Sequence, residues 1–585
     1  MSPNTSITYE PNLEITLRDG VKTYADLYKP SGPGKYPVLL CRTPYDKTSI
    51  ASKTGFLDAI KAAERGYAIV IQDVRGRFSS EGKFYAFTSE IEDGFDSVEW
   101  AASQNWSTGK VGMFGSSYVG ATQWLAAKAK PPSLIAIAPT VTASDYHNGW
   151  VWQGGAFELG FNLSWTLGSL TSANWDNLAN RLYLSPREFE ILIQAKDNLL
   201  ESLKYLPLQE LPDLQGGIAP YYFDWIDHPE YDEYWKSISV RESYDDISIP
   251  ALNYGGWYDI FLSGTIENFT NMRDNGASDS SRKGQRLVIG PWDHSSIGDH
   301  VVGEVGFGSS ASSNYGLDLQ DEILKFFDYW LKDLDNGIAD DKPINIFIMG
   351  ENVWRKENEW PLSRSDNVQF FMRSGGKANS FGGDGWLDQA SPGNSDPPDV
   401  YLYNPLDPVP TKGGTVVCDL GVVPAGAYDQ SQIESRNDVL VYTTAPLEQY
   451  LEVTGPVTVT LYASSSAQDT DFTAKLVDVS PDGYAKNLTD GIVRARYRED
   501  RQRPDLIEPG NVYEYRIDLW ATSNLFKAGH RIRLEISSSN FPKYDRNANS
   551  GDAIGSDRTV SPALQTVYHN TSYPSHLTLP VIPRG

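Results

Sequence analysis

The sequence predicts an α/β protein with a largely parallel sheet, a helical insertion and a trailing antiparallel β-sandwich of jelly-roll type. Three observations predict it. Short, continuous apolar runs alternate with helical stripes through most of the first 350 residues, as buried strands alternating with covering helices require. That alternation is interrupted near residue 145 by a stretch dense in Trp and Phe and resumes near 241. From Ile344 onward the apolar residues take a period of two, with turns rich in Gly, Pro and Asp. The expected domains are therefore 1–144 with 241–352, an inserted helical cap at 145–240, and a β-sandwich at 353–585. A chain of 585 residues exceeds what one core supports.

The elements follow in order. Leu13, Ile15 and Leu17, then Gly20, then Val21, Tyr24 and Leu27 make a hairpin pattern. Pro37–Cys41 and Tyr67–Gln72 read as buried strands, and Ile91, Phe95, Val98 and Ala102 as one helical face. Val111–Phe114 is a strand, Gly115–Gly120 a tight turn and Ala121–Lys130 a helix. In the insertion, Ser185-Pro-Arg-Glu188 is a capping box with proline in the first turn. It opens a helix carrying Phe189, Leu192, Leu199 and Leu203 that should stop before Pro207. Ala251–Tyr254 and Arg286–Ile289 are further strands. A last helix carries Ile323, Phe327, Trp330, Leu331 and Leu334 and should close at Asn336-Gly337. Val457, Val459 and Leu461, and later Ile532, Leu534 and Ile536, alternate with polar residues in sandwich strands.

A net charge of −26 argues against nucleic acid and anionic membranes as partners. Cys41 and Cys418 stand apart in no disulfide or metal pattern. The first ten residues lack the basic start and apolar core of a signal peptide, and no run is apolar enough to span a membrane, so a soluble, cytoplasmic protein is expected. No metal cluster or nucleotide-binding loop is present, so no cofactor is expected. A homodimer is compatible with the sequence and not required by it.

A serine on a sharp strand-to-helix turn is held exposed beside the free N–H groups of a helix start, where an oxyanion can be received. The usual elbow, G-x-S-x-G, requires glycine at 119; here Val119 stands there and the glycine is Gly120. Ser116 or Ser117 could instead serve as a plain helix cap. A serine nucleophile needs a base and an orienting acid. Of the seven histidines, His530, His569 and His576 fall in the sandwich and His147 and His228 in the insertion, leaving His294 and His300. His294 lies four or five residues past a predicted strand end. Asp259 follows the strand Ala251–Tyr254, and the order Ser117, Asp259, His294 is that of α/β-hydrolases. Asp293 ranks second, because neighbouring loop residues seldom point at each other.

These residues resemble a family. Gly115-Ser-Ser-Tyr-Val-Gly120, Asp73-Val-Arg-Gly-Arg-Phe-Ser-Ser-Glu-Gly82, His228-Pro-Glu-Tyr-Asp-Glu-Tyr-Trp235, Gly255-Gly-Trp-Tyr-Asp259, Gly290-Pro-Trp-Asp-His294 and Gly529-His-Arg-Ile-Arg-Leu-Glu-Ile-Ser-Ser-Ser-Asn540 resemble the cocaine esterase and X-Pro dipeptidyl-peptidase-like α/β-hydrolases over nearly the whole chain. The family's elbow is G-x-S-Y-x-G, which Val119 and Gly120 satisfy. The resemblance implies an α/β-hydrolase fold with a helical cap and a C-terminal jelly roll. It also implies Ser117 as nucleophile, His294 as base and Asp259 as acid, with an oxyanion hole from the Tyr118 N–H and the Tyr45 hydroxyl. A phenol is protonated at neutral pH and can donate one short bond. Trp150, Trp165 and Phe261 occupy places that line the family's acyl pocket, and the jelly roll is expected to close one side of the cleft near Tyr401–Pro408.

The similar α-amino-acid ester hydrolases bind a substrate ammonium group with a carboxylate cluster partly supplied just after the acid-bearing strand; here Tyr258-Asp-Ile-Phe-Leu-Ser263 has no added carboxylate, which disfavours an α-amino acyl group. The expected substrate is a small-molecule carboxylic ester with a bulky apolar or aromatic acyl group. An amidase or acyltransferase using the same residues is the alternative, and a lectin-like binding protein on an inert scaffold the third reading.

Overall fold

The computed structural model describes residues 6–182, 185–418 and 422–583. Ten strands form the first sheet: β1 (Ile7–Thr16), β2 (Lys22–Pro30), β3 (Tyr36–Thr43), β4 (Ala68–Asp73), β5 (Ser107–Ser116), β6 (Leu134–Thr140), β7 (Leu252–Tyr258), β8 (Arg286–Asp293), β9 (Ile344–Ile348) and β10 (Val353–Glu357). They lie in the order β1-β2-β4-β3-β5-β6-β7-β8-β9-β10. From β4 to β9 every pair is parallel; β1/β2, β2/β4 and β9/β10 are antiparallel. Apolar side chains leave both faces of the central strands and enter two separate cores, which is why these strands read as unbroken apolar runs. This is an α/β-hydrolase fold.

Three helices differ from expectation in extent. The one expected at Ala121–Lys130 starts three residues earlier and runs Tyr118–Lys128. The helix that opens at Ser185 with the full capping box stops at Asp197, and a second runs Leu199–Leu203. Asn198 between them has φ −118° and ψ 39°, outside the helical region, so Leu192 and Leu199 reach the core from two helices rather than one. The helix Leu319–Lys332 ends on Asp333 in the left-handed conformation, short of Asn336-Gly337, and leaves Leu334 half exposed. In the helix Glu90–Ser103 the inward face is Glu90, Asp93, Gly94, Ser97, Val98 and Ala101, so the stripe expected at Ile91, Phe95 and Ala102 sits at its margin. A small-residue face lets this helix pack against the helix Tyr118–Lys128: a Cβ on Gly94 would lie 2.7 Å from that of Ala126.

The residues from 145 to 240 are mostly short helices, with one small hairpin, Trp152–Gln153 against Ala156–Phe157. Beyond Asp366 an eleven-strand, mostly antiparallel assembly forms the C-terminal sandwich, with Val457, Val459, Leu461, Ile532, Leu534 and Ile536 all fully buried. It is joined to the hydrolase unit and the cap at several places, Met349 N–H to Ser523 O (3.0 Å) among them. Tyr258, at the end of β7, donates its hydroxyl hydrogen to Asn487 O (2.9 Å). The cap hairpin is held by Arg494 N–H to Gly154 O (2.8 Å) and by Gly160 N–H to Pro542 O (2.8 Å). The sandwich meets the cap through Ile492–Arg494 and Pro542–Asp545. In the Tyr401–Pro408 stretch Tyr401 and Tyr403 are buried and Leu406 is exposed.

That junction buries Glu158, which is 2% exposed and begins the helix Leu159–Trp165. Burial raises its pKa to about 8. The unfolded chain ionises this group near 4.5, so between these values the folded protein holds the extra proton. Its contribution to stability is complete below about pH 4.5 and is lost as pH rises toward 8. Glu158→Gln is therefore expected to raise the melting temperature, relative to the parent, more at pH 8 than at pH 5. Paired thermal melts check this; an offset independent of pH would contradict it.

Candidate active site

The site is built on the turn after β5. Ser117 lies between the strand and the helix Tyr118–Lys128 with φ 58° and ψ −126°, a conformation that side-chain-bearing residues occupy only under constraint. The glycine spacing has a steric cause. Gly115 has φ 130°, and a Cβ there would fall 2.3 Å from Val119 Cγ1, so Val119 fills the space that Gly115 leaves. A Cβ on Gly120 would lie 2.8 Å from Thr142 Cβ, so Gly120 lets the helix approach the chain leaving β6. Ser117 N–H bonds Thr140 O at 2.9 Å, and the Ser117 side chain makes no capping bond to the helix.

His294 and Asp259 converge on this serine. His294 Nε2 lies 2.9 Å from Ser117 Oγ, and His294 Nδ1 lies 2.7 Å from Asp259 Oδ1. Asp259 follows β7 directly and is fully buried; the next helix starts at Leu262 on Phe261, so Asp259 is not its cap. Burial raises the Asp259 pKa above the ordinary carboxyl value, and the adjoining imidazole opposes that rise. β8 runs through Asp293, so His294 is the first residue past the strand rather than the fourth or fifth. A register shift between Gly290 and Asp293 carries the strand on beyond the apolar run that marked it in sequence. Asp293 turns to its own loop and accepts the N–H groups of Ser295 (2.8 Å) and Ser296 (3.0 Å).

Tyr45 sits two residues beyond β3, and its hydroxyl oxygen accepts a hydrogen bond from Trp165 Nε1–H at 2.9 Å. Tyr118 is the first helical residue, so its main-chain N–H has no partner one turn earlier in the helix. Its phenol points the other way: the oxygen accepts Phe87 N–H (2.9 Å) and donates to Glu90 Oε1 (3.0 Å). Trp150 and Phe261 stack at 4.1 Å, Trp150 meets Trp165 edge-on at 5.7 Å, and Phe261 meets the His294 ring edge-on at 5.2 Å. The three aromatics singled out in the sequence are therefore one cluster, at most 3% exposed, that reaches both the histidine and Tyr45. On the other side of the turn an apolar cavity opens between Tyr45, Ala51, Phe56, Phe114, Ser116 and Val119.

Sequence reasoning missed the polar support beneath the turn. Arg42 and Glu90 form a buried ion pair (2.9 Å), and Glu90 takes the Tyr118 hydroxyl. The available signal was weak: a charge directly after an apolar strand, and another at a helix start. Among the described residues no cluster of three or more His, Cys, Asp or Glu could hold a metal ion, and no helix is long and apolar enough to cross a membrane. Cys41 and Cys418 are both free thiols.

Residues 19–296 match the X-Pro dipeptidyl-peptidase (S15 family) model, and residues 336–578 match the X-Pro dipeptidyl-peptidase C-terminal non-catalytic domain. The chain is 40% identical to the cocaine esterase of Rhodococcus sp. (strain MB1 Bresler), covering 98% of each chain. It is 26% identical to a putative serine esterase of Mycobacterium bovis, covering 97% of this chain and 94% of that one. Among solved structures, an aminopeptidase from a marine-sediment Thaumarchaeota archaeon superposes with a TM-score of 0.81 at 25% identity, covering 100% of this chain and 98% of that one. An α-amino acid ester hydrolase superposes with a TM-score of 0.78 at 26% identity, covering 99% and 98%. The matched models, the shared length and the common fold agree: the chain belongs to the cocaine esterase and X-Pro dipeptidyl-peptidase (S15) family of α/β-hydrolases.

Proposed function

We propose that the protein is a serine carboxylesterase working through an acyl-enzyme, with Ser117 as nucleophile, His294 as general base and acid, and Asp259 as the acid that orients the imidazole. The observation that carries this reading is the continuous hydrogen-bonded chain Asp259–His294–Ser117 at a strained, glycine-flanked turn. Ser117 Oγ bonds to the ester carbonyl carbon as its proton passes to His294 Nε2. The carbonyl oxygen becomes an oxyanion held by the Tyr118 N–H and the Tyr45 hydroxyl. The C–O bond to the alcohol then breaks, and the alcohol leaves with the Nε2 proton. Water loses a proton to Nε2 as its oxygen attacks the acyl carbon; the bond from that carbon to Ser117 Oγ then breaks, Oγ takes back the Nε2 proton and the acid leaves. Asp259 stays ionised throughout and keeps Nδ1 protonated.

The acyl group is proposed to be bulky and apolar or aromatic. It packs against Trp150, Trp165 and Phe261, though not between Trp150 and Phe261, whose faces already touch. The cavity between Tyr45, Phe56 and Phe114 leaves room for another part of the ester. A named aminopeptidase among the structural relatives keeps amide hydrolysis by the same residues as the second reading. Steady-state rates on a panel of aryl and alkyl esters, matched against the corresponding amides, test the choice. Ester turnover should dominate for large apolar acyl groups; faster amide cleavage would overturn the proposal. Tyr45→Phe removes one of two oxyanion donors and is expected to lower kcat by ~10²- to 10³-fold with little change in KM. An unchanged kcat would take Tyr45 out of the oxyanion hole.

A further inference from the structure

The motif Asp73-Val-Arg-Gly-Arg-Phe-Ser-Ser-Glu-Gly82 stands out in the sequence, yet none of its residues has a part in the chemistry above. Its contacts converge on the short segment that carries Tyr45. Arg77 is 2% exposed, and its Nε–H donates to Pro44 O, the carbonyl directly before Tyr45, at 2.7 Å. The same guanidinium donates to Leu170 O and to Ser169 O (3.2 Å), in the π-helical segment Thr166–Thr171 that directly follows Trp165. Two residues beyond Tyr45, Lys47 N–H donates to Asp73 Oδ1 at 2.7 Å. Asp73 Oδ2 is itself held by the Ser79 hydroxyl (2.7 Å) and the Ser79 N–H (3.2 Å). Tyr45 is thus clamped on both sides, by a cation on the carbonyl before it and a carboxylate on the N–H after it.

We infer that Arg77 is a positioning residue for the Tyr45 hydroxyl: one buried guanidinium holds both the Tyr45 segment and the π-helical segment after Trp165, and so sets the Trp165–Tyr45 hydrogen bond and the direction of the phenol proton. The inference rests on the reading of Tyr45 as an oxyanion donor. The physical case has three parts. The Tyr45 oxygen already accepts from Trp165 Nε1–H, so its own hydrogen is directed elsewhere. Accepting one bond polarises the hydroxyl and strengthens the bond it donates. Tyr45 lies past the end of β3, and the helix that carries Trp165 passes at Thr166 into a π-helical segment whose Ser169 and Leu170 carbonyls Arg77 holds. Arg77 bridges the two segments. Its planar fork can reach several carbonyls at fixed angles, which an ammonium cannot do.

Burying a guanidinium among carbonyls is costly, and its pKa falls to about 10, still high enough to keep the charge at neutral pH. The rings of Phe78 and Phe84, each 5.2 Å from the guanidinium carbon, add cation–π contact. The position therefore selects arginine for its several directed donors.

The test is a double-mutant cycle on kcat for a p-nitrophenyl ester, crossing Arg77→Gln with Tyr45→Phe. Misplacing a catalytic donor by about 1 Å costs ~100-fold. Arg77→Gln is expected to lower kcat by about that factor with KM nearly unchanged, yet to cost less than about threefold in the Tyr45→Phe background. Trp165→Phe should show the same non-additivity with Tyr45→Phe. An equal loss from Arg77→Gln in both backgrounds would overturn the inference and leave Arg77 a general structural residue. If Arg77→Gln does not fold, Arg77→Lys takes its place in the cycle, because it keeps the charge and loses the fork. An unchanged kcat for Tyr45→Phe alone would instead remove the premise, so the two failures are distinguishable.

Discussion

Ser117→Ala is expected to lower kcat by ~10⁵- to 10⁶-fold and to abolish labelling by a fluorophosphonate, while the melting temperature holds. The magnitude follows from the loss of the only atom that can bond the acyl carbon, which leaves oxyanion stabilisation and binding to act on bulk water. Stability is a separate matter. Ser117 is held at φ 58° and ψ −126°. Alanine keeps that backbone strain and removes one hydrogen bond to a partly exposed imidazole, so the melting temperature should stay close to the parent's. Ser116 is the control. It ends β5 one residue earlier and borders the apolar cavity, not the imidazole. Retained labelling in Ser117→Ala, lost on replacing Ser116, would move the nucleophile by one residue and break the account of His294.

Asp259→Asn is expected to lower kcat by ~10⁴-fold with KM nearly unchanged. The asparagine amide fits the same buried space but can donate to Nδ1, which places the imidazole proton on Nε2 and leaves no lone pair to accept the serine proton. Asp259 meets His294 Nδ1 at 2.7 Å, and its second carboxylate oxygen has no hydrogen-bond partner among the described residues. Burial disfavours its charge and the adjoining His294 favours it; in the proposed mechanism the imidazolium would be the compensating ion. Asp293→Asn should cost far less, because that carboxylate is spent on the Ser295 and Ser296 N–H groups. Equal losses from the two variants would leave the orienting acid unassigned.

Much of this was readable along the chain. Runs such as Pro37–Cys41 and Tyr67–Gln72 announced buried parallel strands because a strand covered on both faces tolerates no polar alternation. The Ser185 box announced its helix start because the capping contacts span only three residues. Helix ends were less readable. Asn198 and Asp333 stop helices where apolar periodicity continues, since the packing available to the next turn, and not local preference, decides whether a helix goes on.

For the site, residue types and their order along the chain were enough to select Ser117, Asp259 and His294 as candidates. The glycines around the turn were visible for a local reason: a Cβ at 115 or 120 collides with residues nearby in sequence or in the next strand. The support around those residues was not visible. Trp165 donates to Tyr45 across 120 positions, Arg77 reaches Leu170 across 93, and Glu90 receives the Tyr118 hydroxyl on a helix recognised only by its apolar stripe. Such bonds leave no periodic trace, because each partner is one polar group whose direction is set by the packing of whole layers. Local sterics and burial pattern thus specify which backbone carries the reactive groups. Which neighbours hold them in line is settled when the cap and the sheet close on one another.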